Sequence, residues 1–307
     1  MRVRVAVSGV NPTDWKSRSG SEEPSAPKVP NQDGAGVVDA VGPGVEALAV
    51  DQRVWLWDAA YQRLDGTAQE FVVLPAAQAV PLPDAETFDT GASLGIPALT
   101  AHRALTAGED APERLAPGAL AGTTVLVAGG AGAVGHAAIQ LAAWAGATVV
   151  TTVSGDRKAQ LARAAGAQHV INYRTEDVAA RVREIAPVGV DTIVEVNPVA
   201  NAELDIEIAA RGATVAIYAT DTTDPLVIPA GPAMAKNIGF QFVLTYTTSP
   251  AQKAAAVASV GDALAAGALR VGDEYGMPLT RFPLAETAAA HDAVQGGVVG
   301  KVLIDVR

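Results

Sequence analysis

From Thr123 onward the apolar positions settle into a regular alternation. The runs TTVLVAGG, TVVTTVS, HVINY, VDTIVEVN, ATVAIYA and GFQFVLTY are largely apolar, as strands are when helices cover both faces of their sheet. Between them AVGHAAIQLAAWAGA, DRKAQLARAAGA, TEDVAARVREIA and NAELDIEIAARG carry apolar residues at helical spacing. Strand and helix taking turns over this length predict an α/β unit with a doubly wound parallel sheet and right-handed crossovers. PAQKAAAVASVGDALAAG reads as one more helix: Ser249 is its N-cap, Pro250 its first residue, and Gln252 completes a capping box.

The flanks are patterned differently. Up to about residue 95 short apolar runs (Val3–Val7, Gly36–Val41, Arg53–Leu56, Ala68–Leu74) are separated by turn residues such as GPG at 42–44 and PLPD at 81–84. After the first run, Asn11, Pro12, Thr13 and Asp14 read as a polar turn. GIPALTAHRAL, 95–105, is the first helical segment, and the tail from about 268 returns to strands and turns, ending in the strand GKVLIDVR. The pattern predicts a β-rich domain made of 1–96 and 268–307, with the alternating domain, 97–267, inserted in it.

VLVAGGAGAVGHAAIQLA carries G-x-G-x-x-G as Gly130, Gly132 and Gly135 between a strand and a helix. Such glycines allow a tight turn, close approach of a pyrophosphate and close helix–strand packing, and the helix N-terminus offers N–H groups to the phosphates. The strand before, the helix after and the units downstream raise this motif to a dinucleotide-binding expectation. NAD enzymes place an acidic residue at the end of the next strand. Here Ser154 stands there, 22 residues after Gly132, with Arg157 and Lys158 close behind. A hydroxyl and two cations suit a 2′-phosphate, so NADPH is expected over NADH. Asp156 argues the other way, but it is also suited to cap the next helix. Tyr173, ending the third strand, is a candidate for the adenosine end.

Charge and composition narrow the chemistry. A net charge of −11 and a pI of about 4.8 leave no basic footprint for nucleic acid. No run approaches the ~18 uninterrupted apolar residues of a membrane span, and the start is too short in apolar residues for a signal peptide, so a cytoplasmic protein is expected. There are no cysteines and 4 histidines, none in an HExxH pattern, so thiolate chemistry is excluded and no metal site is expected.

The stretches GVNPTDWKSRSG, DGAGVVDAVGPGV, GTAQEFVVLPAAQAVPLP, ASLGIPALTAHRAL, VLVAGGAGAVGHAAIQLA, GAQHVINYRTEDV and GKVLID resemble, in order and along the whole chain, the medium-chain dehydrogenase/reductase superfamily. Within it they resemble the zinc-independent quinone oxidoreductase (zeta-crystallin-like) family. The resemblance implies a GroES-like catalytic domain, a Rossmann domain and an active site in the cleft between them. It implies that Asn11 stands where zinc-dependent relatives have a Cys ligand and lines the nicotinamide pocket, and that Thr100 approaches the nicotinamide. Gly132, Ala133 and Val134 would hold the pyrophosphate, and Ser154, Lys158 and Tyr173 the 2′-phosphate end. Asn197 and the backbone near Phe242 to Leu244 would bracket the nicotinamide ribose and carboxamide, and Lys301 would lie near the cofactor. GFQFVLTY resembles the edge strand through which such domains form homodimers.

Three departures from the family pattern stand out. Family members begin with about two more strands before VRVAVSGVNP, so an unpaired strand edge is expected here. Asn31 stands where a Gly is usual, and Lys16 where many relatives have a Tyr. The activity implied is hydride transfer from NADPH to a quinone or another conjugated carbonyl, which needs no Lewis acid. Lys16 and Tyr61 are the candidate proton donors, with solvent as the alternative. The rival expectations are an enoyl or alkenal reductase acting on a C=C bond, and a cofactor-binding protein without turnover.

Overall fold

The computed structural model describes residues 1–20, 26–220 and 222–306. The chain divides into two compact units: residues 1–97, 271–273 and 278–307, and residues 98–270 with 274–277.

The first unit is built on a seven-stranded sheet. Its strands are β1 (Arg2–Val10), β2 (Asp33–Ala40), β3 (Arg53–Leu56), β4 (Phe71–Val73), β5 (Ala79–Pro81), β12 (Leu279–Pro283) and β13 (Lys301–Asp305), in the order β12-β13-β1-β2-β3-β5. Arg307, the last residue of the predicted terminal strand, lies outside the described residues. The expected unpaired edge is not found on the first strand. One edge of β1 pairs with β2, and the other is shared by β4 at Arg2–Arg4 and β13 at Val7–Val10. Side chains alternating inward, among them Val3, Val5, Val38, Val54, Val72 and Ile304, form its core. Three helices border this sheet: α1 (Pro12–Arg18), α2 (Phe88–Gly91) and α10 (Thr287–Gln295).

The polar turn expected at 11–14 is the start of α1. Pro12 takes the first helical position, and the Asp14 carboxylate accepts the Asn11 backbone N–H at 2.7 Å. Asn31 occupies the glycine position of the family pattern with φ +77°. Asn is among the few residues with a side chain that tolerate this left-handed conformation.

The second unit begins with α3 (Gly95–Leu105), whose first turn belongs to the first unit, and holds a six-stranded parallel sheet. Its strands are β6 (Thr124–Ala128), β7 (Thr148–Val153), β8 (His169–Asn172), β9 (Val190–Glu195), β10 (Ala209–Ile217) and β11 (Gly239–Phe242). The order β11-β10-β9-β6-β7-β8 is the 3-2-1-4-5-6 of a doubly wound nucleotide-binding sheet, with the switch of winding direction beside β6. The helices α4 (Ala133–Trp144), α5 (Asp156–Ala164), α6 (Val178–Ile185), α7 (Pro198–Ile208), α8 (Ala230–Lys236) and α9 (Pro250–Ala265) connect and cover it. Ser249 and Gln252 form the expected capping box of α9. Two local expectations are corrected. Asp156 is not the cap of α5: Gly155 is, and Asp156 is the first helical residue, where its charge favours the helix dipole. GFQFVLTY is strand only to Phe242, and a 3-10 turn follows at Thr245–Thr247.

Candidate active site

In the second unit the chain leaves β6 through Gly129 to Gly132 and enters α4. The three motif glycines have different reasons to lack a side chain. A Cβ on Gly130 would run into Thr151, and one on Gly135 into the backbone of Gly129 and Gly130. Those two serve packing. A Cβ on Gly132 would meet nothing closer than the Gly129 carbonyl at 3.5 Å, an ordinary contact. What Gly132 keeps clear is space outside the protein, in front of a helix whose N-cap has no side chain and whose first turn carries no acidic residue. The N–H groups of Ala133 and Val134 thus lack a side-chain cap, the arrangement that receives a pyrophosphate.

At the ends of the next two strands Tyr173 donates its backbone N–H to the Val153 carbonyl at 3.1 Å, which sets Tyr173 beside Ser154. Ser154 and Lys158 are half-buried, and Tyr173, Arg157 and Arg174 are exposed. Among the described residues none of the three cations Arg157, Lys158 and Arg174 is in an ion pair. In a chain of net charge −11, cations without an ion pair at two neighbouring strand ends offer positive charge to an anion. Arg174 was not singled out from the sequence. Its signal was its position next to Tyr173.

On the other side of β6, Asn197 caps α7, and Pro198 with Tyr218, Thr220, Phe242 and Leu244 lines a cavity of about 480 Å³. Pro198, the residue after Asn197, and the segment at 242–244 therefore line one space at the C-terminal ends of β9, β10 and β11. Thr100 is buried on α3.

In the first unit Asn11 is the centre of a buried network. Lys301 Nζ donates to Asn11 Oδ1 at 2.7 Å, Asn11 Nδ2 donates to Asp33 Oδ2 at 2.7 Å, and Asp33 Oδ1 accepts the Ile96 backbone N–H at 2.8 Å. Lys301 Nζ also lies 3.6 Å from Asp33 Oδ2. Asn11, Asp14, Asp33 and Lys301 are all nearly inaccessible to solvent, at 4% exposure or less. Glycines make the room: a Cβ on Gly9 would press on Ala92 and Lys301, and one on Gly95 would clash with Asp33. Two carboxyl groups thus share one ammonium out of water. Burial, reinforced by the neighbouring Asp33, raises Asp14 to about 7, so it holds its proton far longer than an ordinary aspartate. Burial also raises Asp33 and lowers Lys301. Asp14 reads from the sequence as a turn residue and Asp33 does not stand out, although an Asp three residues after a helix-capping Asn is a capping-box signature.

Lys16 and Tyr61, the candidate proton donors, are not among the residues that clamp Asn11. Lys16 is exposed on α1 with Nζ 5.8 Å from the Trp15 ring centroid, and Tyr61 is half-buried in the turn after β3. Among the described residues no three His, Asp or Glu side chains come together as a metal site. At Asn11 the Lys301 ammonium holds the amide oxygen.

A glycine turn at the switch of a 3-2-1-4-5-6 sheet, in a chain that also holds a β-rich unit with a buried Asn–Lys–Asp cluster, is the pattern of a two-domain dinucleotide-binding dehydrogenase/reductase. Comparisons with known proteins agree. Residues 1–84 match the alcohol dehydrogenase GroES-like domain, and residues 133–260 the zinc-binding dehydrogenase domain. Rat quinone oxidoreductase is 30% identical over 98% of this chain and 88% of its own. Among solved structures, an NAD-dependent alcohol dehydrogenase superposes with a TM-score of 0.84 at 27% identity, covering 100% of this chain and 91% of that one. A mycobacterial protein complexed with NADPH gives 0.81 at 30% identity over 99% and 90%. Escherichia coli quinone oxidoreductase complexed with NADPH gives 0.79 at 25% over the same shares. The chain belongs to the quinone oxidoreductase family of the medium-chain dehydrogenase/reductase superfamily.

Proposed function

We propose that the protein is an NADPH-dependent reductase that delivers hydride to a quinone or another conjugated carbonyl without a metal ion. The observation that carries the cofactor is the open space kept by Gly132 before the uncapped start of α4, with Ser154, Lys158, Tyr173, Arg157 and Arg174 at the neighbouring strand ends. Two of the superposed structures hold NADPH, which supports the same reading. The residues fit the cofactor as follows. Gly132, Ala133 and Val134 receive the pyrophosphate. The cations with Ser154 and Tyr173 receive the 2′-phosphate. Asn197 and the 242–244 backbone border the nicotinamide half, with Thr100 approaching it.

When bound, the nicotinamide supplies the hydride. The protein orients it, excludes water and holds charge in place. Asn11, fixed between Lys301 and Asp33, presents a rigid amide where zinc relatives would present a metal. A quinone is electrophilic without that Lewis acid, which is why it suits this site better than an alcohol does. Hydride addition gives the hydroquinone anion, and one proton from Lys16, Tyr61 or solvent completes the hydroquinone. Lys16→Met and Tyr61→Phe with unchanged kcat would leave solvent as the source.

The acting form is a homodimer in the cytoplasm. Support for the dimer lies at β11, the end strand of its sheet, where Phe242 (72% exposed), Leu244 (55%) and, on α8, Met234 (73%) present apolar surface. The test is oxidation of NADPH and NADH with 1,4-benzoquinone, a naphthoquinone and an enone, with EDTA present. Faster turnover of quinone with NADPH is expected. Turnover of the enone alone would move the reading to a C=C reductase. Folded protein inactive with every acceptor would overturn it.

A further inference from the structure

A cavity of about 510 Å³ opens in the first unit, between α1, α10 and the segment that leads into β2. Its floor holds Asn31, Gln32, Ala60 and His291, each at 8% exposure or less. Lys28 and Arg18 stand exposed at its rim. Asp14 also lines it, and the Asp14 carboxylate accepts the Asn11 N–H, so the cavity adjoins the network around Asn11.

The hydrogen bonds of the floor leave one donor unpaired. Asn31 is engaged at both ends of its amide: Nδ2 donates to Ser8 Oγ at 2.9 Å, and Oδ1 accepts from His291 Nε2 at 2.8 Å. Gln32 Oε1 accepts the Ala60 backbone N–H at 3.0 Å, which fixes the orientation of its amide and leaves Nε2 as the other end. Among the described residues Gln32 Nε2 has no hydrogen-bond partner. A buried N–H group without an acceptor costs free energy. In this lining the acceptor comes from whatever fills the cavity.

The charge of the lining is unbalanced toward positive. Arg18 is neutralised by Asp292 at 2.7 Å and also donates to the Ala288 carbonyl. Lys28 is in no ion pair among the described residues. Asp14 is the acid among the lining residues, and burial, reinforced by the neighbouring Asp33, raises it to about 7. In a chain of net charge −11 this cavity thus has an N–H donor at its floor and an unpaired ammonium at its rim.

We infer that the cavity selects anionic acceptors: Gln32 Nε2 donates to an oxygen of the acceptor, and Lys28 meets a negatively charged substituent on it. The favoured substrates are then quinones that carry a carboxylate or sulfonate group. This rests on the quinone-reductase reading above, whose preferred acceptor it names.

The probes are 1,4-naphthoquinone and 1,4-naphthoquinone-2-sulfonate, and the chain has no cysteine to add to either ring. Wild type, Lys28→Met, Lys28→Arg and Gln32→Glu are compared in kcat/KM at saturating NADPH, and in binding of the sulfonate by calorimetry with no NADPH present. Lys28 is exposed, so its variants should fold. Lys28→Met should lower the ratio of kcat/KM for the sulfonate to that for the neutral quinone about fivefold, the effect of losing an exposed ion pair at its strongest. It should raise the sulfonate Kd by a similar factor, and Lys28→Arg should restore both. Gln32→Glu keeps the acceptor for the Ala60 N–H, replaces the free donor by an oxygen and adds negative charge, and should weaken sulfonate binding about tenfold or more. Wild type that binds no sulfonate, or a ratio and a Kd that neither Lys28→Met nor Gln32→Glu changes, overturns the inference. Sulfonate binding that depends on both residues, without turnover of either quinone, upholds the anion site and overturns instead the quinone-reductase reading.

Discussion

Replacing Lys301 by Met tests the network around Asn11. The change keeps most of the side-chain volume and removes the ammonium that donates to Asn11 Oδ1 and faces Asp33. A buried acceptor left without its donor costs about 1–3 kcal/mol. Removing one partner of a buried charge pair costs about 3–5 kcal/mol. The two describe the same lost group, so they overlap, and the expected loss is about 3–5 kcal/mol at pH 8. At pH 5 Asp14, raised to about 7, is already protonated. Asp33, raised in the same direction, is then closer to neutral, and the loss should shrink toward the acceptor cost alone. Urea unfolding followed by tryptophan fluorescence measures it, because Trp15, Trp55 and Trp57 lie in the first unit and of the 4 tryptophans only Trp144 does not. Adding Asp33→Asn to Lys301→Met should recover part of the loss. A variant within about 1 kcal/mol of wild type at pH 8, or one equally weakened at both pH values, would refute the argument that Lys301 balances buried carboxyl charge.

Other consequences follow from the same geometry. Gly132→Val should abolish NADPH binding with little change in Tm, because nothing in the protein occupies that space, whereas Gly135→Ala should lower Tm by forcing the turn apart. Lys158→Ala should raise KM for NADPH about tenfold and leave NADH unaffected, as measured by steady-state kinetics. Asp14 and Asp205 bind protons more tightly folded than unfolded. The stability they contribute is full below about pH 4 and is lost as pH rises through about 7 and about 9. Each proton gives a slope of at most about 1.4 kcal/mol per pH unit, and Asp205→Asn should flatten the alkaline part of a denaturation series. Phe242→Glu should convert a dimer to a monomer in size exclusion with light scattering, and an unchanged dimer would point to another interface.

The parallel sheet was legible because its strands carry apolar runs between helices of clear period, and the glycine turn announced its own geometry. The Asn11 site was legible in part. Asn11 and Lys301 came from a family resemblance, and 290 residues separate them in sequence, so their hydrogen bond was not. From the sequence Asp14 reads as part of a polar turn and Asp33 does not stand out. Asp33, on β2, faces β1 through their antiparallel pairing, and Asp14 is buried on α1, the helix that follows β1. Asp205 is an acidic residue in a helix that also carries Glu203 and Glu207. Periodicity alone does not say which of the three faces the core. The helical start at Pro12 was hidden because a capping box and a polar turn use the same residues, Asn, Pro, Thr and Asp.

The most direct test of the central claim is the kinetic isotope effect on naphthoquinone reduction with NADPH deuterated at C4 on one face or the other, in EDTA-treated protein. Metal-free hydride transfer should give slower turnover with one labelled face only, at a rate EDTA does not change. Turnover insensitive to label on both faces, or lost on chelation, would contradict metal-free hydride transfer from the nicotinamide.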